Sequence, residues 1–599
     1  MRILFDSQLT KFKTPFGTLS QGQVCQLHIH IPCSVGTVKT ECILEADDGS
    51  ATCVATLEKE CVQGDYDVFE GKFSLVTTGL YFYYFRIYKP DGSFRLFKQG
   101  HDTNMEAGDR WQVTCTPADF VTPDWAKGAV IYQIFPDRFC KIGDPDLTEK
   151  LEPYTVHKNW QEDVQWQPDE NGKILNNDFF GGNFLGITEK MDYIASLGTT
   201  ILYLNPISKS FSNHRYDTGD YKKPDPMLGT LEDFQQMCDA AHKRGIKVIL
   251  DGVYSHTGSR SPYFASACKS TDSPYYSWYT FYEYPHKYNS WWGFDTLPTV
   301  NKLDPAFIDY IIDNDDSVVA HWLNLGADGF RLDVVDELPD AFVLRLKNRI
   351  RQIRPDALLI GEVWEDASNK ISYDVRRRYF VDGALDSCMN YPFRTAIVNF
   401  IKGNDSGEQF RETVMTIAEN YPAQVLACNM NLLGTHDTPR ILTALVDDFD
   451  GPREEAATRT LSQSQLEQAK ELLKMASFLQ YMLPGAPSLY YGDEAGMEGH
   501  KDPFNRRTYP WGKEDLQLLE HYKALGNLKR SQEVLQKGDI RFFYAKTGKL
   551  GFTRTYQGKT LKIYVNRSDS PWEFPAAAPV FAHGLTDNLV PMGFCILED

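Results

Sequence analysis

Near the start of the chain, apolar and polar residues alternate strictly in Gln26-Leu27-His28-Ile29-His30-Ile31, which predicts a strand with one buried face. Residues 81–88 read as a second strand, and Pro90-Asp91-Gly92 turns it back into Phe94-Arg95-Leu96-Phe97. Residues 1–120 are therefore expected to form an N-terminal β-sandwich, with 117–123 as a linker between prolines.

From Asp124 the pattern becomes strand, then helix, repeatedly. Val130-Ile131-Tyr132-Gln133-Ile134 predicts a buried strand. The helix after Gly186 carries Ile187, Met191, Ile194 and Leu197 on one face and ends at Gly198. Thr200-Ile201-Leu202-Tyr203-Leu204 is the next strand, and Thr230-Leu231-Glu232-Asp233 resembles a capping box. Phe234, Met237 and Ala241 continue an apolar face from it to Gly245. Further strands at 247–250, 329–332, 358–361, 384–386, 431–433 and 488–491 make eight in all. Eight β–α units predict a closed parallel (β/α)8 TIM barrel over 121–530. A doubly wound open sheet is the alternative, although it rarely needs so many units.

An insertion follows the third strand, at about 255–305, and eleven of the twenty residues 275–294 are aromatic. They suit either the core of a small subdomain or exposed platforms for sugar rings. After about 530 the pattern returns to β, in 541–544 and 561–565. Residues 531–599 are expected to form a C-terminal β domain without catalytic residues.

Size and charge narrow the function. At roughly 150 residues per domain, 599 residues make about four shares, of which a barrel with insertions uses two or three. A net charge of −19 lacks the basic face that nucleic acid or an anionic membrane requires, and suits a neutral ligand such as sugar. No apolar run approaches the ~20 residues of a membrane span. The N-terminal apolar run breaks too early for a signal-peptide core. Twelve cysteines without a Cys-x-x-Cys pair read as free thiols of a reducing cytoplasm. A leader removed before this point is the alternative.

Arg331 and Asp333 lie two apart in the strand within Gly329-Phe330-Arg331-Leu332-Asp333-Val334-Val335-Asp336-Glu337, so both point to one side. A cation beside a carboxylate favours its ionised form, which suits a nucleophile; an ordinary buried ion pair suits the same nonapeptide. Other strand ends add chemistry: Asp251 and His256 after the third, Glu362 and Trp364 after the fifth, His436 and Asp437 after the seventh. Barrel chemistry sits at this rim. Two carboxylates flanking a site are the minimum for glycoside hydrolysis, one attacking the anomeric carbon and the other protonating the departing oxygen. A third can hold sugar hydroxyls and raise the pKa of the proton donor.

These segments resemble the four signature regions of the α-amylase family of glycoside hydrolases (family 13), and the resemblance runs over nearly the whole chain. It implies Asp333 as nucleophile, Glu362 as acid/base and Asp437 as transition-state stabiliser. Arg331, His256 and His436 would line the cleavage subsite, Asp251 would be the acid of the first region, and Trp364 would bind substrate. Ser255 stands where the family usually has Asn. Asn213-His214-Arg215-Tyr216-Asp217-Thr218, Met389-Asn390-Tyr391-Pro392-Phe393 and Lys501-Asp502-Pro503-Phe504-Asn505-Arg506-Arg507 resemble the neopullulanase, maltogenic amylase and cyclomaltodextrinase group. There Tyr216 would stack on the sugar, and Asp502 and Arg506 would bind the non-reducing side. Residues 361–370 resemble amylopullulanases even more closely, and a carbohydrate-binding-like N-terminal domain fits.

The implied activity is retaining hydrolysis of α-1,4 bonds in maltooligosaccharides and pullulan, extending to starch or cyclodextrins, with α-1,6 cleavage as a second activity. A pullulanase-type debranching enzyme or a 4-α-glucanotransferase would use the same site. A non-catalytic glycan-binding relative would lack the acids. Many α-amylases carry a Lys-His pair three and four residues after the nucleophile; here Asp336 and Glu337 stand there, as in enzymes that accept the geometry around an α-1,6 branch. The group binds Ca²⁺ after its first strand, through six to eight oxygens. In the matching stretch Ile142 and Leu147 replace side-chain ligands and Asn183 replaces an Asp, leaving Asp144, Asp146 and backbone carbonyls for a weakly held ion. No cofactor is therefore expected to be required. In related enzymes the N-terminal domain of one subunit covers its partner's site, so a homodimer is expected; a monomer whose N-terminal domain packs against its own barrel is the alternative.

Overall fold

The computed structural model describes residues 2–573 and 578–598. Its parallel sheet has eight strands: β1 (Ile131–Ile134), β2 (Ile201–Leu204), β3 (Lys247–Gly252), β4 (Gly329–Leu332), β5 (Leu358–Gly361), β6 (Ser387–Cys388), β7 (Met430–Leu432) and β8 (Ala486–Tyr490). They pair in the order β6-β5-β4-β3-β2-β1-β8-β7, and a parallel bridge between Met389 and Met430 closes the ring. Asparagines complete this seam. The Cys388 N–H donates to Asn429 Oδ1 (3.0 Å), the Asn390 N–H to Met430 O (2.8 Å), and Asn390 Nδ2 to Asn431 Oδ1 (2.9 Å). Ile131, Ile201, Tyr203, Ile249, Leu358, Ile360 and Leu432 pack in one buried cluster, so the ring encloses a core.

Two expectations shift locally. β6 begins three residues beyond 384–386, because the N–H groups of Ala384 and Leu385 turn back to Tyr379 O (2.9 and 3.2 Å). The helix after Gly186 is instead two helices, Phe184–Glu189 and Met191–Ser196, broken at Lys190 and capped by Asn183. Ile187, Met191, Ile194 and Leu197 are nonetheless all buried, and the Thr230 capping box is present.

The chain divides into two compact units. One comprises Met1–Val121, Glu365–Leu385 and Arg411–Leu426. Its strand Thr52–Gln63 pairs along its first half with Lys39–Ala46 and along its second with Tyr66–Ser74. The sandwich thus shares a strand between its faces and closes over Leu27, Leu44, Phe85 and Trp111. The later stretches are bonded into it: Gln112 Nε2 donates to Ser368 Oγ (2.8 Å), Asn369 Nδ2 to Gln112 Oε1 (2.8 Å), and Arg376 grips Asp47 (2.7 and 3.1 Å).

The second unit holds the barrel, the inserted subdomain and a six-stranded antiparallel C-terminal sheet. Within the subdomain the two readings of the aromatic run divide by residue. Tyr263, Trp278 and Tyr279 are buried in its core, whereas Tyr282, Trp292 and Phe294 are exposed. Among the described residues, no helix is long and apolar enough to cross a membrane. All twelve cysteines are free.

Helix Leu516–Ser531 crosses the turn that precedes β2 at bare backbone. A Cβ on Gly526 would lie 1.9 Å from Leu197 O, and one on Gly198 would lie 2.5 Å from the Gly526 carbonyl carbon. Gly→Ala inside a helix ordinarily stabilises by about 1 kcal/mol. Here the sign should reverse: Gly526→Ala should lower the melting temperature by several degrees, measured by circular dichroism.

Candidate active site

Arg331 is fully buried at the end of β4 and holds three carboxylates from three strands. Its Nη1 donates to Asp251 Oδ1 (2.7 Å) and Asp333 Oδ1 (3.1 Å), and its Nη2 to Glu362 Oε2 (2.6 Å). Glu362 Oε2 also accepts the Val334 N–H at 2.8 Å. Val334 reaches that position with φ +34°, a costly conformation for a β-branched residue. The residue after Asp333 is thus strained where it contacts Glu362.

The Asp251 side chain lies beneath the rim with no exposed surface; its other oxygen accepts from the hydroxyls of Tyr203 and Tyr216, each at 2.8 Å. Its place is below Arg331 and Tyr216, holding both. Tyr216 also stacks on His436, with centroids 5.4 Å apart and rings 10° from parallel. Gln133 Nε2 lies 3.0 Å from His436 Nδ1 and can only donate, so the His436 proton sits on Nε2, facing Tyr216 Oη (2.6 Å) and Asp437 Oδ2 (3.1 Å). Burial, with Arg506 and Arg331 nearby, holds His436 well below the usual histidine range. It is a neutral donor.

His256 is drawn down to about 4, chiefly by burial, and is also neutral. Its Nε2 lies 3.0 Å from Tyr216 O, to which it donates, leaving Nδ1 to accept from Ser255 Oγ at 2.8 Å. Ser255 thus supplies a hydrogen bond at the position usually held by Asn. Both His256 nitrogens are engaged within the protein, so this side chain fixes the Tyr216 backbone.

At the rim itself, Arg506 joins Asp502 (3.0 Å) to Asp437 (3.6 Å) and donates from Nε to His436 O (3.0 Å). Trp364 is half exposed, stacks on Tyr391 with centroids 3.8 Å apart, and donates from Nε1 to Glu362 Oε1 (3.0 Å). All eleven residues singled out from the sequence therefore belong to one connected network on the C-terminal rim.

The electrostatics depart from the sequence reading. Burial raises the Asp333 carboxyl well above the usual range; Arg331 opposes this, while Glu362, Asp251 and Asp437 add to it. Burial also raises Asp251 and Asp437. One guanidinium shared among several acids does not neutralise them. Asp251, Asp333 and Asp437 therefore keep their protons to higher pH than isolated carboxyls would.

Composition and spacing did not single out the other wall. Trp292 is 72% exposed, has φ +50°, stacks on Trp291 (4.9 Å, 11°), and donates from Nε1 to Glu337 Oε1 (3.2 Å). Trp291 in turn lies 5.6 Å from His256. A Trp in left-handed backbone is an outlier whose only advance signals were the Trp-Trp-Gly run and Glu337. In the sandwich, His28, Glu60 and Glu70 bring ligand atoms within 4.8 Å of one another. Lys72 (3.3 Å) and Gln26 (2.9 Å) already engage Glu70 there.

Fold and site together define a (β/α)8-barrel protein with a carboxylate-rich rim. The profile described as alpha amylase, catalytic domain, matches residues 133–541, and the chain belongs to the α-amylase family. It is 35% identical over 634 residues to an amylopullulanase of Thermoanaerobacter thermohydrosulfuricus, covering 93% of this chain and 42% of that protein. It is 34% identical to neopullulanase 2 of Thermoactinomyces vulgaris over 460 residues, 75% of this chain and 70% of that one. Among solved structures, the type III pullulan hydrolase from Thermococcus kodakarensis superposes over all of both chains, with TM-score 0.70 and 28% identity. The chain spans 33–48% of the length of the three amylopullulanases it matches.

The loop after β1 is bonded to Asn213, in the segment that leads to Tyr216. His157 Nδ1 contacts Glu162 (2.8 Å), its Nε2 contacts Asp178 (3.1 Å), and Asn213 Nδ2 donates to Asp178 Oδ1 (2.8 Å). Burial disfavours a charge on His157, but the bonds to Asp178 and Glu162 prevail and raise its pKa. A raised folded pKa gives stability that is full below the unfolded value, about 6.5, and lost as pH rises through the folded one. His157→Gln should therefore lower the melting temperature most below pH ~6.5. The gap from the unmodified protein should close as pH rises through the raised value, as a thermal-shift series across pH would record.

Proposed function

We propose that this chain is a retaining α-glucan hydrolase. Asp333 would attack the anomeric carbon while Glu362 gives its proton to the departing oxygen. Glu362 would then take a proton from water as that water cleaves the glycosyl-Asp333 ester. Asp437, with Arg506 and Asp502, would hold hydroxyls on the non-reducing side. The observation that carries this reading is the joint grip of one guanidinium on Asp333 and Glu362, which favours the short carboxyl separation of about 5–5.5 Å that retention needs. Asp333→Asn and Glu362→Gln should each reduce turnover by orders of magnitude without loss of fold. Proton NMR of the first product should show the α-anomer; an initial β-anomer would refute retention.

We read the leaving side as a pair of indoles, Trp364 and Trp292, with Glu337 accepting from sugar hydroxyls between them. An open platform of this kind accepts a bent chain. The names of several relatives refer to pullulan, and one similar structure is titled a cyclic alpha-maltosyl-(1-->6)-maltose hydrolase. The substrates would be maltooligosaccharides, pullulan and small starch fragments, cleaved at α-1,4 bonds with α-1,6 cleavage as a second activity. A cytoplasmic homodimer without a required cofactor completes the proposal; light scattering at the one-chain mass of 68.4 kDa would remove the dimer. Trp292→Ala should raise KM for pullulan by about tenfold, given ~1–1.5 kcal/mol for an aromatic contact, and change kcat little. A pullulan digest should yield panose; maltotriose alone would mean that α-1,6 cleavage dominates.

A further inference from the structure

The calcium that the family implies after β1 does not fit the residues present. A Ca²⁺ site needs six to eight oxygens, and several of the candidate donors here are already engaged. Asp146 Oδ1 accepts from the Thr148 N–H (3.0 Å) and hydroxyl (2.5 Å). Asn183 Oδ1 accepts from the N–H groups of Gly186 (2.8 Å) and Ile142 (3.3 Å), while Asn183 Nδ2 donates to Ile142 O (2.8 Å). Leu147 O accepts the Lys150 N–H at 3.0 Å. The side chains of Ile142 and Leu147 offer no oxygen.

A cation of the protein's own lies beside them, between Asp144 and Gly181. Lys141 Nζ is 2.8 Å from Asp144 Oδ1, and its side chain runs over Gly181. A Cβ built on that glycine would meet Lys141 Cδ, Cε and Nζ at 3.4, 3.5 and 3.8 Å. The arm therefore lies in van der Waals contact with position 181, whose φ of +80° favours glycine. We infer that the Lys141 ammonium takes the place of the metal ion, tying the 141–148 loop to the 181–183 segment that caps the next helix. Two positive charges cannot share the site, so Lys141 also excludes calcium. This is independent of the catalytic reading, because none of these atoms contacts the carboxylate cluster.

The pair with Asp144 is exposed, so its effect is local rather than global. Hydrogen exchange by mass spectrometry, with thermal unfolding in excess EDTA and in millimolar CaCl₂, tests the inference. In the unmodified protein, neither EDTA nor CaCl₂ should move the melting temperature. In Lys141→Met, exchange in 142–148 and at the 183–186 cap should quicken about fivefold, and Lys141→Arg should restore protection. A melting temperature that falls in EDTA and recovers with calcium would overturn the inference, as would unchanged exchange in Lys141→Met.

Discussion

Everything at the rim depends on one buried guanidinium holding more negative charge than it can neutralise. Arg331 has no exposed surface, and its fork reaches Asp251, Asp333 and Glu362. A lysine could not hold acids from three strands in one plane, because a point charge lacks the rigid fork. The surplus of acid gives the site its chemistry. Carboxyls that bury one another keep a proton that water would remove.

The network sorts residues by depth. Asp251, Tyr203 and His256 lie below, with their polar atoms turned to protein, and fix Arg331 and Tyr216. Asp437, Asp502 and Trp364 lie above, with surface left for a ligand. His436 stands between, its tautomer set from behind by Gln133 and its proton directed forward. The barrel makes this layering feasible because Asp251, Arg331, Asp333 and Glu362 sit at or just beyond the ends of strands whose register their neighbours set. Tyr216 is on the loop after β2, where its hydroxyl donates to Asp251 and its carbonyl accepts from His256 while its ring lies 10° from parallel to His436.

The barrel strands were legible because each is a short apolar run bounded by turn chemistry, and the acids were legible because each follows such a run. β6 was misplaced by three residues because it has two residues and no apolar period; the hydrogen bonds of Ala384 and Leu385 decide its start. The charge state of Asp333 was not legible. Arg331 is its neighbour in sequence, whereas Asp251, Glu362 and Asp437 reach it only through the fold. Trp292 was hidden for a different reason: its left-handed backbone is a tertiary choice, fixed by Glu337 forty-five residues away. Asn183 was read as a failed metal ligand, and its actual work as a helix cap needed the geometry of Gly186.

The later stretches of the N-terminal unit bear on how the chain is made. Translation proceeds at about 5–20 residues per second, and domains tend to fold as they emerge. The sandwich strands are complete by Thr116, yet Ser368, Asn369 and Arg376 arrive roughly 250–260 residues later, about 12–52 s at that pace. Throughout that interval Gln112 and Asp47 lack these partners while five of the eight barrel strands are being synthesised. The sandwich is thus finished only by chain made after the first five barrel strands.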